Sequence, residues 1–264
     1  MTAQSATDAV LLRADRNGVA WLTLNRPQAR NALSMGLMDA LHAELARIAT
    51  EPTVKVVVIG GAGPAFCSGH DLREMRAQPG RAAYEATFAA CSRLMLSIVR
   101  LPKPVIARVH GIATAAGCQL VATCDLAVAA DDARFATPGV NIGLFCSTPM
   151  VALTRAVGRK MAMEMLLTGA LIDAPRAREI GLVNRVVPLA GLDEATGELA
   201  EGIAAKSPLT LAIGKEAFYA QADMGLADAY RHTSEVMVRN MLAADAAEGI
   251  DAFLNKRQPV WTGT

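Results

Sequence analysis

The sequence has no excess of either charge. Its 264 residues include 26 lysines and arginines against 25 aspartates and glutamates, which gives a net charge of +1. A nucleic-acid-binding domain or a protein held on an anionic membrane would carry a basic patch or helix, so both classes are disfavoured. No window approaches the roughly 18 uncharged apolar residues that a membrane span needs.

A disulfide framework and a targeting segment are also missing. The five cysteines are odd in number and lie in apolar surroundings, which is typical of reduced thiols, and their spacing does not resemble a zinc site. Residues 1–12 have no basic start, no long apolar core and no arginine-rich amphipathic pattern. These absences predict a soluble, cytoplasmic protein without a metal.

The sequence is rich in apolar residues. Apolar residues make up 52% of the chain and charged residues 19%, so the chain is richer in apolar residues than an average soluble domain. Its length allows one large core with an appendage. We expect part of the apolar surface to contact other subunits.

The order of patterns predicts an α/β fold. Asn17-Gly18 lies between two short apolar runs and predicts a hairpin over residues 10–24. Helices are expected over residues 31–50 and 82–100, and strands buried on both faces over 54–59, 105–109 and 126–130. The unit of buried strand, small-residue turn and helix occurs at least twice, which indicates a layered spiral.

After Val187-Pro188 only helical patterns follow, near residues 192–205, 210–221, 226–239 and 243–254. We therefore predict a core over residues 1–198 and a helical C-terminal region over 199–264. No low-complexity linker separates the two, so we expect them to pack together.

Several segments together resemble the crotonase (enoyl-CoA hydratase/isomerase) superfamily. They are, in chain order, Leu24-Asn25-Arg26-Pro27 with Asn31-Ala32-Leu33, Phe66-Cys67-Ser68-Gly69-His70-Asp71-Leu72, the run from Lys103 to Asp125 around Gly111 to Gln119, and Thr154-Arg155-Ala156-Val157-Gly158. Residues 135–141 and 143–149 are similar to the subgroup of enoyl-CoA hydratase domain-containing protein 3. The resemblance covers nearly the whole chain.

This resemblance implies a ββα spiral core with a C-terminal helical trimerisation region, assembly into trimers or dimers of trimers, and a coenzyme A thioester as ligand. It implies no cofactor apart from the coenzyme A of the substrate. Gly60-Gly61-Ala62-Gly63 lacks the third glycine of a dinucleotide fingerprint and the lysine of a P-loop, which disfavours a nucleotide site.

Chemistry next to a thioester passes through an enolate, which needs two fixed hydrogen-bond donors at the carbonyl oxygen. By the resemblance, these donors are the backbone amides of His70 and Ala116. Ala116 also lies where a small-residue turn enters a predicted helix, and free amides at a helix N-terminus carry partial positive charge. A tight structural turn would explain the same alanines.

The resemblance implies substrate contacts by further residues of these segments. Those near the thioester and the coenzyme A moiety are Arg26, Ala29, Ser68, His70, Asp71, Leu72, Arg73, Ala116 and Gly139, and those on the C-terminal helix are Lys215 and Phe218. The His70 ring either faces the acyl group or caps a backbone carbonyl. Arg73 and Lys215 are either phosphate ligands or ordinary surface cations.

Hydration needs two carboxylates around a water molecule. In the hydratases of the family, one glutamate lies three residues after the second oxyanion donor, where this chain has Gln119. The other follows the proline of a Phe-x-x-Pro segment, where this chain has Gly139. Glutamine can orient water but does not titrate near neutrality, and glycine has no side chain to contribute.

Three functions remain open from the sequence. The first is an acyl-CoA enzyme that stabilises a thioester enolate for chemistry other than hydration, such as decarboxylation or thioester hydrolysis, with Gln119 and Cys146 as further candidates. Cys146 is otherwise a buried apolar residue. The second is a weak enoyl-CoA hydratase, a lyase of fatty acid metabolism. The third is a non-catalytic acyl-CoA-binding protein.

Overall fold

The computed structural model describes residues 9–264 of the chain. The first eight residues, and with them most of the segment 1–12 that lacks a targeting pattern, lie outside the described residues. The first half of the fold alternates strands and helices: β1 Leu11–Arg16, β2 Val19–Leu24, α1 Met35–Ala49, β3 Val56–Gly61, α2 Leu72–Ala77, α3 Arg81–Arg100, β4 Val105–Val109, β5 Ile112–Thr114, α4 Ala116–Thr123 and β6 Leu126–Ala130.

The second half becomes helical: β7 Arg134–Ala136, α5 Ser147–Ala156, α6 Arg159–Thr168, β8 Ile172–Asp173, α7 Ala174–Glu179, β9 Arg185–Val187, α8 Leu192–Ala204, α9 Pro208–Ala222, α10 Leu226–Met241 and α11 Ala244–Leu254. The strands form two sheets, in the orders β1-β2-β3-β4-β6-β9 and β5-β7-β8. A strand of the large sheet, a short strand of the small sheet and a helix repeat along the chain, which confirms the predicted spiral.

The predicted hairpin, the buried strands and the four C-terminal helices are present. Asn17 and Gly18 have φ angles of 52° and 75°, as a tight hairpin with two left-handed residues requires. The first helix begins at Met35, later than predicted, because the Ser34 hydroxyl accepts a hydrogen bond from the Leu37 amide at 3.2 Å and caps it.

Two apolar layers hold the large sheet. One face packs against α1, α3 and α4, with Leu37, Leu94 and Leu120 fully buried. The opposite face packs against α8, where Leu192 and Ala200 meet the β-branched residues of the central strands. The predicted boundary at 198/199 falls inside α8, and the division into two regions stays a prediction. Within residues 9–264, no helix is long and apolar enough to cross a membrane.

Candidate active site

The loop after β3 presents the backbone amide of His70. His70 forms a parallel bridge with Leu33, in which the Leu33 amide donates to the Gly69 carbonyl at 2.8 Å and the Asp71 amide donates to the Leu33 carbonyl at 3.2 Å. In such a bridge the amide of the central residue points to the other side. The His70 amide accordingly has no acceptor among residues 9–264 and is free to bind a ligand.

Ala116 supplies a second free amide. It is the first residue of α4 and therefore has no intrahelical partner, and none of the described residues accepts from it. The preceding residue, Ala115, has φ 49° and ψ −118°, which is strained for a residue with a side chain. The Ala115 amide donates to the Ala136 carbonyl at 2.9 Å, and this bond helps to hold the strained turn.

Two glycines bring these amides together. A Cβ atom on Gly69, whose φ is +107°, would lie 2.9 Å from the Ala115 Cβ and 3.5 Å from the Ala116 nitrogen. A Cβ on Gly117 would lie 2.0 Å from the Cys67 carbonyl oxygen. Only glycine permits this approach of loop and helix. The arrangement presents two free N–H groups near the positive end of a helix, as an anionic oxygen requires.

The His70 imidazole lies beside the same loop. Its edge meets the Phe88 ring at a centroid distance of 5.6 Å. Both ring nitrogens are buried and have no hydrogen-bond partner among the described residues. Burial lowers the pKa of His70, which a backbone contact with Leu33 opposes in part. The lowered pKa favours the neutral ring, in which one nitrogen carries the proton and the other is an acceptor.

Gln119 lies one turn after Ala116 on the same helix and is 5% exposed. Its Oε1 lies 3.8 Å from the Cys91 sulfur on α3. The side chain at this position is therefore buried and contacts α3, one turn after the free amide of Ala116. It offers a carboxamide where a hydratase needs an acid.

The surroundings of Gly139 leave no room for a side chain. A Cβ at this position would lie 2.7 Å from the Leu144 carbonyl oxygen and 2.9 Å from the Cys146 sulfur. Both distances are shorter than any ordinary contact, so the segment of residues 144–146 fills the space that a glutamate would need. The Leu144 amide also donates to the Gly139 carbonyl at 2.9 Å and fixes this segment.

Cys146 is buried at the start of α5. Burial raises the pKa of its thiol, while a backbone contact with Gly139 opposes the change. A protonated thiol is a weak nucleophile. The geometry therefore favours a packing role for Cys146 over the tentative catalytic role.

Both carboxylate oxygens of Asp71 accept hydrogen bonds within the protein. Its Oδ2 accepts from Arg26 Nη2 at 2.8 Å, and its Oδ1 caps α2 by accepting from the amides of Arg73 and Glu74 at 3.1 and 3.2 Å. Partial burial opposes ionisation, but these hydrogen bonds prevail and lower the pKa of Asp71. A carboxylate so occupied is a poor general base.

The remaining predicted contacts lie around this loop. Arg26 Nη1 donates to the Ala32 carbonyl at 2.6 Å, so Arg26 ties two loops together. Ala29 ends a short 3-10 turn, and the Ser68 carbonyl accepts from the Thr114 hydroxyl at 3.1 Å. The side chains of Leu72 and Arg73 are exposed on α2, next to His70 in the chain. Their contacts with a substrate stay predictions.

The expectation that Lys215 binds coenzyme A needs correction. Its Nζ donates to the carbonyls of Ile98 and Lys103 at 2.9 and 3.0 Å and to Asp125 at 2.7 Å, and the side chain is 7% exposed. All three ammonium protons are therefore used inside the protein. Phe218, in contrast, is 64% exposed on α9, and its proposed contact stays a prediction.

A separate cavity of about 820 Å³ lies between the end of α3 and the helices α9 and α10. It is lined by Leu96, Arg100 and Tyr219 among others, and none of the site residues near His70 or Ala116 borders it.

Known proteins resemble the chain over most of its length. Residues 14–264 match the sequence pattern of the family described as Enoyl-CoA hydratase/isomerase. The chain belongs to this family. Enoyl-CoA hydratase domain-containing protein 3, mitochondrial, is 50% identical in Xenopus laevis over 93% of this chain and 84% of the relative. The human protein of the same name is 49% identical over 93% of this chain and 81% of the relative.

Solved structures of family members have the same fold. An enoyl-CoA hydratase of Mycobacterium smegmatis superposes with a TM-score of 0.94 at 53% identity, covering 96% of this chain and 99% of that one. Human enoyl Coenzyme A hydratase domain-containing protein 3 superposes with a TM-score of 0.93 at 47% identity, covering 96% and 100%. The crotonase resemblance read from the sequence is confirmed.

The comparisons overturn one expectation. The Xenopus and human relatives are both named mitochondrial, which contradicts the prediction of a cytoplasmic protein. That prediction was based on reduced thiols and on the lack of a targeting pattern in residues 1–12, neither of which identifies the compartment.

Sequence reasoning missed Phe88 and Cys91, which approach the site from α3. They are three residues apart and therefore lie on one face of the helix. That spacing alone does not reveal which helix they face. The contacts with His70 and Gln119 come from the fold.

Proposed function

We propose that this member of the enoyl-CoA hydratase/isomerase family is an acyl-CoA enzyme that stabilises a thioester enolate without running standard hydration. Coenzyme A enters as part of the substrate, and no separate cofactor or metal takes part. The observation that carries the proposal is the pair of free amides on His70 and Ala116, held together by Gly69 and Gly117.

The chemistry follows from where the charge develops. Loss of a proton or of a carboxylate group, as CO₂, from the α carbon leaves the bonding electron pair on that carbon. The pair delocalises onto the thioester oxygen, where two N–H donors hold the negative charge. Removing one such donor in comparable sites costs about 3 kcal/mol of transition-state stabilisation. A proton then returns to the α carbon.

The neutral His70 imidazole is the group that we assign to proton transfer. Both nitrogens are buried without a partner in the described structure, beside the loop that carries the oxyanion amide, so this role requires that substrate binding exposes one of them. Because burial lowers the pKa of His70, the unprotonated imidazole is favoured, and it can accept a proton as a general base. We assign Asp71 no proton transfer because its oxygens are already occupied.

Standard hydration is disfavoured by the geometry as well as by composition. Gln119 replaces one acid, and the space next to Gly139 is filled by Leu144 and Cys146. Restoring both glutamates should therefore fail to create a good hydratase, since the second cannot enter without displacing the backbone. Gln119→Glu alone should fit, because the side chains are nearly equal in size.

The test is turnover of malonyl-type, enoyl and saturated acyl-CoA substrates, followed by mass spectrometry. We expect one substrate class to be consumed and crotonyl-CoA hydration to remain far below that of a hydratase with both acids. Hydration of crotonyl-CoA at ordinary family rates would contradict the proposal. If acyl-CoA binds but no substrate class is consumed, the protein is an acyl-CoA-binding protein and not an enzyme.

A weak enoyl-CoA hydratase is the second candidate. The Mycobacterium smegmatis protein, which is 53% identical, is named an enoyl-CoA hydratase. In this case Gln119 would hold the attacking water, and Gln119→Glu should raise crotonyl-CoA hydration strongly. An unchanged or lower rate in that variant would reject this candidate.

We also propose that the chain forms a homo-oligomer of the trimeric family type. Met237 on α10, Leu242 directly after α10 and Phe253 on α11 are exposed at 60%, 82% and 81%, which is unusual for large apolar side chains facing water. Light scattering should give the mass of three or six chains. A monomer at micromolar concentration would contradict this part of the proposal.

A further inference from the structure

One arginine is bonded to both segments of the bridge between Leu33 and His70. Arg26 Nη1 donates to the Ala32 carbonyl at 2.6 Å, and Arg26 Nη2 donates to Asp71 Oδ2 at 2.8 Å. Ala32 directly precedes Leu33, and Asp71 directly follows His70. A single guanidinium therefore joins the two segments that meet at the residue with the free amide.

This contact supports the weaker side of the bridge. Before His70, the Leu33 amide donates to the Gly69 carbonyl at 2.8 Å. After it, the Asp71 amide donates to the Leu33 carbonyl at 3.2 Å, which is at the upper end of the usual range for such bonds. The Arg26 guanidinium adds a second restraint to the residue that makes the longer bond.

The pair is shielded and geometrically specific. The side chains of Arg26 and Asp71 are 20% and 13% exposed, so solvent and salt screen their attraction less than that of a surface pair. A guanidinium is planar and directs its N–H groups in a fixed fork, whereas an ammonium group is a point charge on a flexible stem. The contact therefore fixes the spacing of its two acceptors and does more than neutralise a charge.

The orientation of the His70 amide decides whether it can hold an oxyanion. Gly69 before it has a φ of 107°, in a region that glycine enters freely, so the loop has little stiffness of its own at this point. The N–H group must point to a ligand oxygen about 3 Å away. Misplacement of such a group by about 1 Å can cost about 100-fold in rate. A restraint on the residue after His70 therefore bears on the stabilisation of the enolate.

We infer that Arg26 and Asp71 are positioning residues, which together hold the His70 amide in the orientation that stabilises a thioester enolate. This inference rests on the oxyanion site proposed above. It differs from the direct substrate contact that the resemblance implied for Arg26, because both terminal nitrogens of this guanidinium already donate within the protein. Neither side chain needs to touch the substrate.

The carbonyl resonance of bound [1-¹³C]butyryl-CoA, with calorimetry for its Kd, tests the inference. Donors at the thioester oxygen withdraw electron density from the carbonyl carbon, so an aligned pair of amides moves the resonance downfield. Arg26→Met removes the guanidinium. Asp71→Asn leaves one oxygen, which cannot serve both α2 and Arg26. Both variants should show a smaller downfield shift than the wild-type protein, with affinity reduced by about fivefold or less, as for one neutral hydrogen bond.

The two variants separate positioning from a ligand contact. If Arg26 bound the coenzyme A moiety directly, Arg26→Met would weaken binding, and Asp71→Asn would keep the wild-type resonance. That pair of results would refute the inference. The double variant should lose no more of the shift than the more affected single variant, because both substitutions break the same contact. Losses that add in the double variant would also count against it.

Arg13→Met is the matched control for general destabilisation. Arg13 pairs with Glu44 at 2.8 Å between β1 and α1, and the two side chains are 17% and 13% exposed. Its loss should lower Tm and leave the resonance of the bound ligand unchanged. Arg26→Lys keeps the charge without the planar fork, so it should lower Tm less than Arg26→Met and still reduce the shift. An equal reduction of the shift in Arg13→Met would overturn the inference.

The outcomes separate this inference from the proposed function. If butyryl-CoA does not bind, or if its carbonyl resonance is unmoved in the wild-type protein, the oxyanion site itself is wrong. If the wild-type protein moves the resonance downfield and both Arg26→Met and Asp71→Asn move it as far, the oxyanion site stands and the positioning role is wrong.

Discussion

Gly139→Ala tests whether the place of the second acid is truly filled. The new Cβ would lie 2.7 Å from the Leu144 carbonyl oxygen and 2.9 Å from the Cys146 sulfur, so the segment around them must move. Overpacking of this kind costs about 1–3 kcal/mol. Replacing glycine also reduces the conformational entropy of the unfolded chain, which stabilises the folded protein by about 0.4–1 kcal/mol. We therefore expect a net loss of about 1–2 kcal/mol and a fall in Tm of about 2–6 °C.

Thermal unfolding followed by circular dichroism measures this change. The matched control is Gly202→Ala in α8, where nothing lies within 4 Å of the new Cβ. This substitution in a helix should stabilise the protein by about 0.5–1 kcal/mol and raise Tm. If Gly139→Ala were as stable as the control, the space would be open, and the structural argument against hydration would be refuted.

Three further predictions concern buried ionisable groups. Lys215→Met should lower the free energy of unfolding by about 3 kcal/mol, measured in urea, because it leaves Asp125 buried without its cation; a neutral result would refute the pairing. Burial opposes ionisation of Asp245, but hydrogen bonds from Ser207 and nearby amides lower its pKa. The ionised Asp245 therefore stabilises the folded protein above the unfolded pKa of about 3.9, and this contribution is lost as pH falls through the lower folded value. Asp245→Asn should accordingly flatten the acid limb of a curve of stability against pH. An unchanged acid limb would contradict this prediction. Because burial lowers the pKa of His70, an NMR titration of its ring should give a midpoint below the usual value, and a midpoint above it would contradict the assignment.

The sequence predicted those elements whose pattern is local. Strands β4 and β6 are buried on both faces and read as continuous apolar runs, so their bounds were predicted correctly. The short strands β5, β7 and β8 were not predicted, because two or three residues carry no periodicity. They exist through pairing with one another in the small sheet.

The candidate site also contains some features that a local sequence pattern predicts and others that it does not. The free amide of Ala116 follows from a turn that enters a helix, which is visible in the chain. The filled space at Gly139 depends on the path of residues 144–146, and the burial of Lys215 depends on Asp125, which is 90 residues away. Contacts between distant segments are set by the tertiary fold, so no local pattern reveals them.

The carbonyl resonance of bound [1-¹³C]butyryl-CoA tests the central claim most directly. Two amide donors at the thioester oxygen withdraw electron density from the carbonyl carbon, so the resonance should move downfield on binding to the wild-type protein. Gly69→Ala, which displaces the loop from Ala115, should bind with a smaller shift. A bound ligand whose carbonyl resonance stays at its position in water would contradict an oxyanion site at His70 and Ala116.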